Sequence, residues 1–313
     1  MVISLLLTNQ FYKEIKFMTR NTKSFLYTIS AVLLWSTVAT AFKLTLEGMN
    51  YLQLLFYSSL ASSIVLFVIV FLKNRSELKT VFEIKYFSKN ILLGLLNPFL
   101  YYLILFKAYS LIPAQEAQPL NYTWPIAIAI FSAIFLKQKL TAKILIGMLI
   151  SFIGVIIIVT HGNLFAFKFH NFFGAMLALG SSIIWASFWT LNLLDKRNDS
   201  VKLFSAFLFG SIIIFIYLFL FDSFQLNNYK FILGSTYVGL FEMGITFSLW
   251  MKGLQLSSNK AKTATLAYLS PFISLVFIAF ILGENILPSS IIGLSLIVGG
   301  ILFQHLNLKR SFK

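Results

Sequence analysis

The sequence predicts an all-α polytopic membrane protein, with ten transmembrane helices as two inverted five-helix repeats and both termini in the cytoplasm. Three observations support this: recurrent apolar runs, a one-sided distribution of basic residues, and a similarity between the two halves of the chain. Of its 313 residues, 58% are hydrophobic and only 11% are charged. Soluble domains are typically about 25% charged, so this composition argues against a soluble protein.

The apolar runs have the length that a membrane-spanning helix requires. About 20 apolar residues cross a hydrocarbon core roughly 30 Å thick as an α-helix. Runs of about this length place the predicted spans at 24–42, 51–72, 90–110, 117–136, 144–160, 172–193, 203–221, 231–251, 263–282 and 289–306. The loops between them are too short to hold a separate soluble domain.

The basic residues fix the predicted orientation. If the N-terminus is cytoplasmic, all but four of the 25 lysine and arginine residues fall in cytoplasmic segments; the exceptions are Lys43, Lys107, Lys168 and Lys230. Cytoplasmic loops of membrane proteins carry such an excess, so both termini are predicted to be inside. The net charge of +15 then reflects topology, and no nucleic-acid partner is expected.

Several other functions lack the residues that they need. The chain has no cysteine and its three histidines show no ligand spacing, so no metal site is expected. It has no phosphate-loop motif, no H-E-x-x-H motif and no intramembrane Ser/His pair, which argues against an ATP-driven pump and against an enzyme. Residues 1–23 are predicted to be a cytoplasmic segment, in which Met18 is an alternative translation start, and residues 307–313 a basic cytoplasmic tail.

The two halves, 24–160 and 172–306, share tryptophan, proline and glycine residues in the same order. LLWSTVATAFKLTL resembles IIWASFWTLNLLD, and IGMLISFIGVIII resembles IGLSLIVGGILF. The paired positions are Trp35/Trp185, Asn97/Glu242, Pro125/Pro271, Gly147/Gly293 and Gly154/Gly300. Because each copy has five spans, the second crosses the membrane in the opposite sense. Inverted repeats of this kind are typical of secondary transporters.

Taken together, these features resemble the drug/metabolite transporter superfamily, EamA type. The resemblance rests on five spans plus five, on Trp followed by Ser or Ala in the first span of each half, on a proline in the fourth, and on LGE at 282–284 before a G-x₆-G helix. NYTWP (121–125) is further similar to the N-Y-x-W-P segment of YddG-type aromatic amino-acid exporters. The resemblance covers 24–306 and implies a bacterial inner-membrane exporter. The first half departs from it, with LKQ at 136–138 in place of LGE.

Glu242 is the clearest candidate for a functional side chain. It lies near the middle of the predicted eighth span, and its repeat mate is Asn97, which Pro98 follows. Ionisable residues inside a membrane are costly and usually mark a site or a partnered contact. Glu242 is therefore predicted to bind a substrate amine or to carry a coupled proton. The alternative is a neutral carboxylic acid that is hydrogen-bonded to a neighbouring helix.

The stretch QPLNYTWPI (118–126) predicts a kinked, polar half of the fourth span. Pro125 lacks a backbone donor and disfavours α geometry before it, and Pro271 repeats it in the second half. We predict hinges at Pro98, Pro125 and Pro271. The polar residues around the fourth-span bend and its repeat are predicted to face the substrate: Gln118, Asn121, Tyr122, Trp124 and Tyr268. The alternative makes Tyr122 and Trp124 ordinary aromatic residues of the membrane interface.

Trp35 and Trp185 are the remaining candidates for substrate contact. They lie near the middle of the first and sixth predicted spans, among small and hydroxylated residues. Their rings could stack on an aromatic or cationic substrate. The alternative is close helix packing, which small residues also favour.

The prediction is a secondary active transporter of a small organic metabolite that works by alternating access around a midplane site. The resemblance implies export of an amino acid, in particular an aromatic one. The alternatives are an uptake carrier for a nucleoside, sugar or vitamin-like compound, a channel, or a lipid-handling protein. The expected partners are the substrate and the bilayer, the chain being a monomer or homodimer, with no cofactor beyond a coupled proton or ion.

Overall fold

The described part of the chain is helical and contains no strand. The computed structural model describes residues 19–135, 141–163, 171–224, 228–258, 263 and 265–305. The principal helices are α1 (Arg20–Leu46), α2 (Tyr51–Lys73), α3 (Ile84–Leu111), α4 (Ala114–Asn121), α5 (Trp124–Phe135), α6 (Ala142–Val159), α7 (Phe172–Leu193), α8 (Asp199–Phe221), α9 (Phe231–Leu256), α10 (Leu269–Leu282) and α11 (Pro288–His305). The predicted tail and most of the predicted N-terminal segment, Met18 included, lie outside the described residues.

The protein is a polytopic membrane protein. Seven helices are long and apolar enough to cross a bilayer, namely α1, α2, α3, α6, α7, α8 and α9, and two shorter apolar helices cover Leu266–Leu282 and Pro288–Phe303. Large apolar side chains such as Phe219 and Phe280 are exposed on the outside of the bundle. In a bilayer these side chains contact lipid, so the predicted all-α membrane class is confirmed. The count of ten spans and the orientation stay predictions.

The helices of the two halves interlock. α1 packs on α9 and α10, while α7 packs on α3, α4 and α5. α2 also packs on α8, and α6 packs on α11. The first helix of each half therefore lies against the third and fourth helical segments of the other half.

The helical ladder of α3 and of α9 is interrupted at matching places. Each helix contains a π-helical turn, at Leu95–Leu100 in α3 and at Gly239–Gly244 in α9. The first contains Asn97, with extended φ/ψ angles of −149° and 119°, and a cis peptide bond to Pro98. The second contains Glu242. Such turns inside α-helices are rare and often lie at functional sites.

The fourth predicted span is broken, and its break lies slightly before Pro125. α4 ends at Asn121 and α5 begins at Trp124, so Pro125 occupies the first turn of α5, where a missing N–H costs little. Pro271 likewise lies in the first turn of α10, after a 3₁₀ turn at Thr265–Tyr268. Both prolines therefore begin a helix after a break and do not kink a continuous one.

A network of charged residues joins α3 to the link between α7 and α8. The Arg197 guanidinium donates to Asp195 Oδ2 at 2.7 Å and to Asn90 Oδ1 at 2.7 Å. Burial alone would raise the pKa of the Asp195 carboxyl, but the hydrogen bonds and charge of Arg197 outweigh burial and hold that pKa below its ordinary value. Lys202 pairs with Asp199 at 2.7 Å beside them. The network fixes one end of the bundle, which is the end predicted to be cytoplasmic.

The glycines of α6 and α11 bring these two helices into backbone contact. A Cβ on Gly300 would overlap the Gly147 main-chain oxygen and Ser151 Oγ, and a Cβ on Gly154 would lie 2.5 Å from the Gly293 oxygen. Ser151 Oγ also donates to the Ile297 main-chain oxygen at 3.0 Å. Small residues allow such close approach of helices in lipid. These glycines therefore form a packing contact within one chain, between the last helices of the two halves.

The contact between α6 and α11 predicts that alanine substitutions at two adjacent glycines differ in their effect on stability. Gly300→Ala should destabilise the protein by roughly 1–3 kcal/mol, because the new methyl group meets backbone that cannot move aside. Gly299→Ala is the matched control, since its Cβ would meet no atom within 4 Å. Thermal unfolding in detergent measures both. Equal melting temperatures for the two variants would contradict the packing.

Candidate functional site

A cavity of about 510 Å³ lies between the interlocked helices. Its wall is built by α1, α3, α4, α5, α7 and α9, with one residue from the start of α8 and one from the turn before α10. All five tryptophans of the chain line it: Trp35, Trp124, Trp185, Trp189 and Trp250. A concave, mostly apolar site with a few polar groups is the usual form of a small-molecule site.

The spacing of the aromatic residues explains how they reach one wall. Residues four apart lie on one face of a helix, so α3 presents Tyr101, Leu105 and Tyr109 together. By the same spacing, α7 presents Trp185 and Trp189, whose ring centroids are 5.6 Å apart. The sequence prediction missed Trp189 and Trp250. The one available signal for Trp189 was its position one turn after Trp185.

Glu242 is the buried acidic residue of the described cavity wall. It is 7% exposed, and its Oε1 accepts a hydrogen bond from the Tyr102 hydroxyl at 3.0 Å. Trp35 Nε1 donates to the Glu242 main-chain oxygen at 3.2 Å, which ties α1 to the π-helical turn of α9. No described residue donates a hydrogen bond to Glu242 Oε2. One carboxyl oxygen is thus held in place, and the other is available to a ligand.

The break between α4 and α5 is fixed to α7 by side-chain hydrogen bonds. Asn121 Oδ1 accepts from the Tyr101 hydroxyl at 3.2 Å, and Asn121 Nδ2 donates to Ser181 Oγ at 2.9 Å. Thr123 Oγ1 contacts Ser182 Oγ at 3.1 Å. Gln118 differs from Asn121, because its Oε1 is buried and has no hydrogen-bond partner among the described residues. Asn121 therefore orders the wall, whereas Gln118 offers a free acceptor.

Most of the predicted contact residues lie on this wall, and two do not. The wall includes Trp35, Gln118, Asn121, Tyr122, Trp124, Trp185 and Glu242. Tyr268 is buried beside it, next to the lining residue Ala267. Asn97 is fully buried away from it, and within the described chain neither of its amide atoms has a hydrogen-bond partner. Asn97 lies in the π-helical turn of α3 that matches the turn at Glu242, but it does not line the cavity.

The two ends of the cavity differ. At one end the wall reaches Asp199 and the exposed Gln255, whose Nε2 donates to Asp199 Oδ2 at 2.9 Å. At the other end Phe42 and Tyr109 contact each other, with ring centroids 5.1 Å apart. The cavity thus reaches the surface on the side where α8 begins, and aromatic residues close it on the opposite side.

Beyond the aromatic end, the two halves are joined by what we call the Glu284–Gln115 latch. The Glu284 carboxylate accepts from the main-chain N–H groups of Ala114 and Gln115, at 3.0 and 3.3 Å, and so caps the N-terminus of α4. The Gln115 side chain donates to the Asn285 main-chain oxygen at 3.0 Å and accepts from the Leu287 N–H at 2.8 Å. The latch connects α4 to the segment between α10 and α11.

Lys43 supports the same closed end. Its Nζ donates to the main-chain oxygens of Tyr109 and Ile112, at 2.8 and 3.0 Å, and so holds α1 against the end of α3. The sequence placed Lys43 at the outer end of the first predicted span but did not predict these contacts. Glu284 was visible only as part of LGE, and its partners are about 170 residues away in the chain.

Comparisons with known proteins agree with this architecture. The chain is 26% identical over 275 residues to an uncharacterized transporter of Archaeoglobus fulgidus, covering 86% of this chain and 94% of that protein. It is 23% identical to the uncharacterized transporter YoaV of Bacillus subtilis, covering 90% and 96%. A solved structure titled only "Crystal structure of protein" has the same fold, with a TM-score of 0.66 at 21% identity over 93% of this chain and 98% of that one.

The family assignment covers both halves of the chain. The EamA-like transporter family matches residues 22–160 and again residues 172–304. The likeness to YddG-type exporters stays a prediction, since the relatives above are described only as transporters. The chain belongs to the EamA-like transporter family.

Proposed function

We propose that the chain is a secondary active transporter that moves a small organic metabolite by alternating access around the tryptophan-lined cavity. The observation that carries this proposal is the asymmetry of the cavity, which both halves of the chain enclose. It reaches the surface at Asp199 and Gln255, whereas aromatic residues close it at the other end and the Glu284–Gln115 latch joins the two halves beyond them. A channel would need a path that is open at both ends, so the latch favours a carrier.

The proposal includes the topology predicted from the sequence. Two inverted five-helix repeats, 24–160 and 172–306, cross the membrane ten times, with both termini in the cytoplasm of a bacterial cell. The Asp195–Arg197 network then lies on the cytoplasmic side of the membrane. In this conformation the cavity opens toward the cytoplasm. Pro98, Pro125 and Pro271 lie at the helix interruptions, where we place the hinges.

Substrate contact is assigned to the predicted residues that line the cavity. Glu242 and Gln118 supply polar contacts, and the rings of Trp35, Trp185 and Trp124 supply apolar surface. Glu242 is also the candidate for proton or ion coupling. An amino acid, in particular an aromatic one, is the first compound class to test, and the direction proposed is export. That choice rests on the likeness of NYTWP to YddG-type exporters.

The first test is counterflow into proteoliposomes loaded with a mixed pool of amino acids and related metabolites. Glu242→Gln should lower exchange of the transported compound about tenfold or more, because it removes the acidic group that is buried in the cavity wall. Tyr102 keeps an acceptor in this variant, so folding should persist. Glu47→Gln, an exposed carboxylate at the end of α1, is the control. Wild-type exchange rates in Glu242→Gln would remove this residue from the transport site.

The second test asks whether the latch closes the cavity. The chain has no cysteine, so Val38→Cys places a single thiol on the cavity wall. A membrane-impermeant thiol reagent should label it slowly from the outer side, and several-fold faster once Gln115→Ala removes the side-chain bonds of the latch.

Asn285→Ala is the matched control for this test, since Asn285 joins the latch through its main-chain oxygen. Its labelling rate should equal that of the parent. Equally fast labelling from both sides in the parent would indicate a channel. An unchanged rate in Gln115→Ala would show that the latch does not close the cavity.

A further inference from the structure

The charge of the cavity wall is opposite in sign to that of the chain. The protein carries a net charge of +15, yet the described lining residues include Glu242 and Asp199 and no lysine, arginine or histidine. Described cations lie at the two ends of the cavity: Lys202 Nζ pairs with Asp199 Oδ1 at 2.7 Å at the open end, and the Lys43 ammonium donates to the main-chain oxygens of Tyr109 and Ile112 beyond the closed end. A carboxylate or phosphate beside Glu242 would therefore meet an acid and, among the described lining residues, no cation. Desolvating an unpaired anion is costly, so the wall disfavours anionic ligands.

Two oxygen acceptors on this wall have no donor among the described residues. Glu242 Oε1 already accepts from Tyr102, which leaves Oε2 for a ligand. Gln118 is 4% exposed, and its Oε1 is buried without a partner among the described residues. A buried acceptor without a donor is destabilising, and a ligand that brings N–H donors removes that cost. An ammonium group supplies donors and a positive charge together.

Aromatic rings surround the same acceptors. The centroids of Trp35 and Trp250 lie 5.2 Å apart, and those of Tyr101 and Trp185 lie 4.6 Å apart. Trp35 Nε1 donates to the Glu242 main-chain oxygen, so this ring lies against the turn that carries Glu242. Ring faces attract cations, most strongly where water is excluded, and they also stack on flat apolar groups.

We infer that the substrate is an organic cation, namely a primary or substituted ammonium group on a flat aromatic body. The ammonium lies between Glu242 and Gln118, and the ring lies among the tryptophans. This rests on the proposed function, and within its class of small organic metabolites it favours an aromatic amine over the aromatic amino acid. An aromatic amino acid presents the same ammonium and ring but adds a carboxylate that finds no cation on the wall. The corresponding amine should therefore bind more tightly than the amino acid.

Three compounds with the same phenyl ring separate the possibilities: 2-phenylethylamine (cation), phenylalanine (zwitterion) and 3-phenylpropionate (anion). Because every tryptophan lines the cavity, intrinsic tryptophan emission of the full-length purified protein reports binding directly. The amine should bind about tenfold or more tightly than the propionate, with phenylalanine between them. Binding of 3-phenylpropionate or phenylalanine at least as tight as that of 2-phenylethylamine would overturn the inference.

Two variants test the assigned contacts. Glu242→Gln should remove most of the preference for 2-phenylethylamine over 3-phenylpropionate, whereas Glu47→Gln should keep this preference. Gln118→Leu fills similar space without the free acceptor. It should weaken binding of 2-phenylethylamine and leave binding of 3-phenylpropionate unchanged. An unchanged preference in both cavity variants, with unaltered melting temperatures, would show that the ammonium is not held at these residues.

The same preparation separates failure of this inference from failure of the proposed function. If none of the three compounds changes the emission, but counterflow shows exchange of another compound, the ammonium class is wrong and the transporter stands. If no compound of the mixed pool exchanges either, the proposed function fails as well. If 2-phenylethylamine both binds and exchanges, both are supported.

Discussion

The structure depends on the requirement that every backbone N–H and C=O group inside a membrane has a hydrogen-bond partner. A continuous α-helix satisfies it automatically, and an interrupted helix does so only where protein or water covers the freed groups. This chain interrupts its helices in α3, in α9, between α4 and α5, and before α10. Hydroxyl groups add hydrogen bonds to main-chain oxygens at two of these interruptions. Thr123 Oγ1 donates to the Leu120 oxygen at 2.7 Å, and Thr246 Oγ1 donates to the Phe241 oxygen.

Close packing around the interruptions follows from the same requirement. Gly239 and Gly244, at the two ends of the π-helical turn in α9, lie so near α2 that added Cβ atoms would overlap Ser58 and Val65. Gly210 of α8 does the same against Pro98 of α3. Other helices therefore shield these turns from lipid. The turn in α9 directs Glu242 toward the interior, where Tyr102 and Trp35 fix it and the tryptophan-lined cavity surrounds it.

Much of this could be predicted from the sequence, because membrane spans and repeat symmetry leave strong local patterns. Glu242 stood out because a carboxyl group in an apolar run is costly, and Pro125 with Pro271 marked breaks that the structure places within a few residues. Other features depend on which helices become neighbours. Trp250 reaches the wall because α9 packs on α1, and Glu284 meets Ala114 and Gln115 only after the two halves assemble. Asn97 matched Glu242 by symmetry, but its side chain does not reach the cavity.

The most direct test of alternating access is the distance across the latched end in a lipid bilayer. Ser110→Cys and Asn285→Cys place two exposed spin labels on opposite halves of a chain that has no other cysteine. Pulsed electron paramagnetic resonance should give two distances, a short one with the latch formed and a longer one with the latch open. A transported compound should change their proportions. A single narrow distribution that no transported compound alters would contradict alternating access around this cavity.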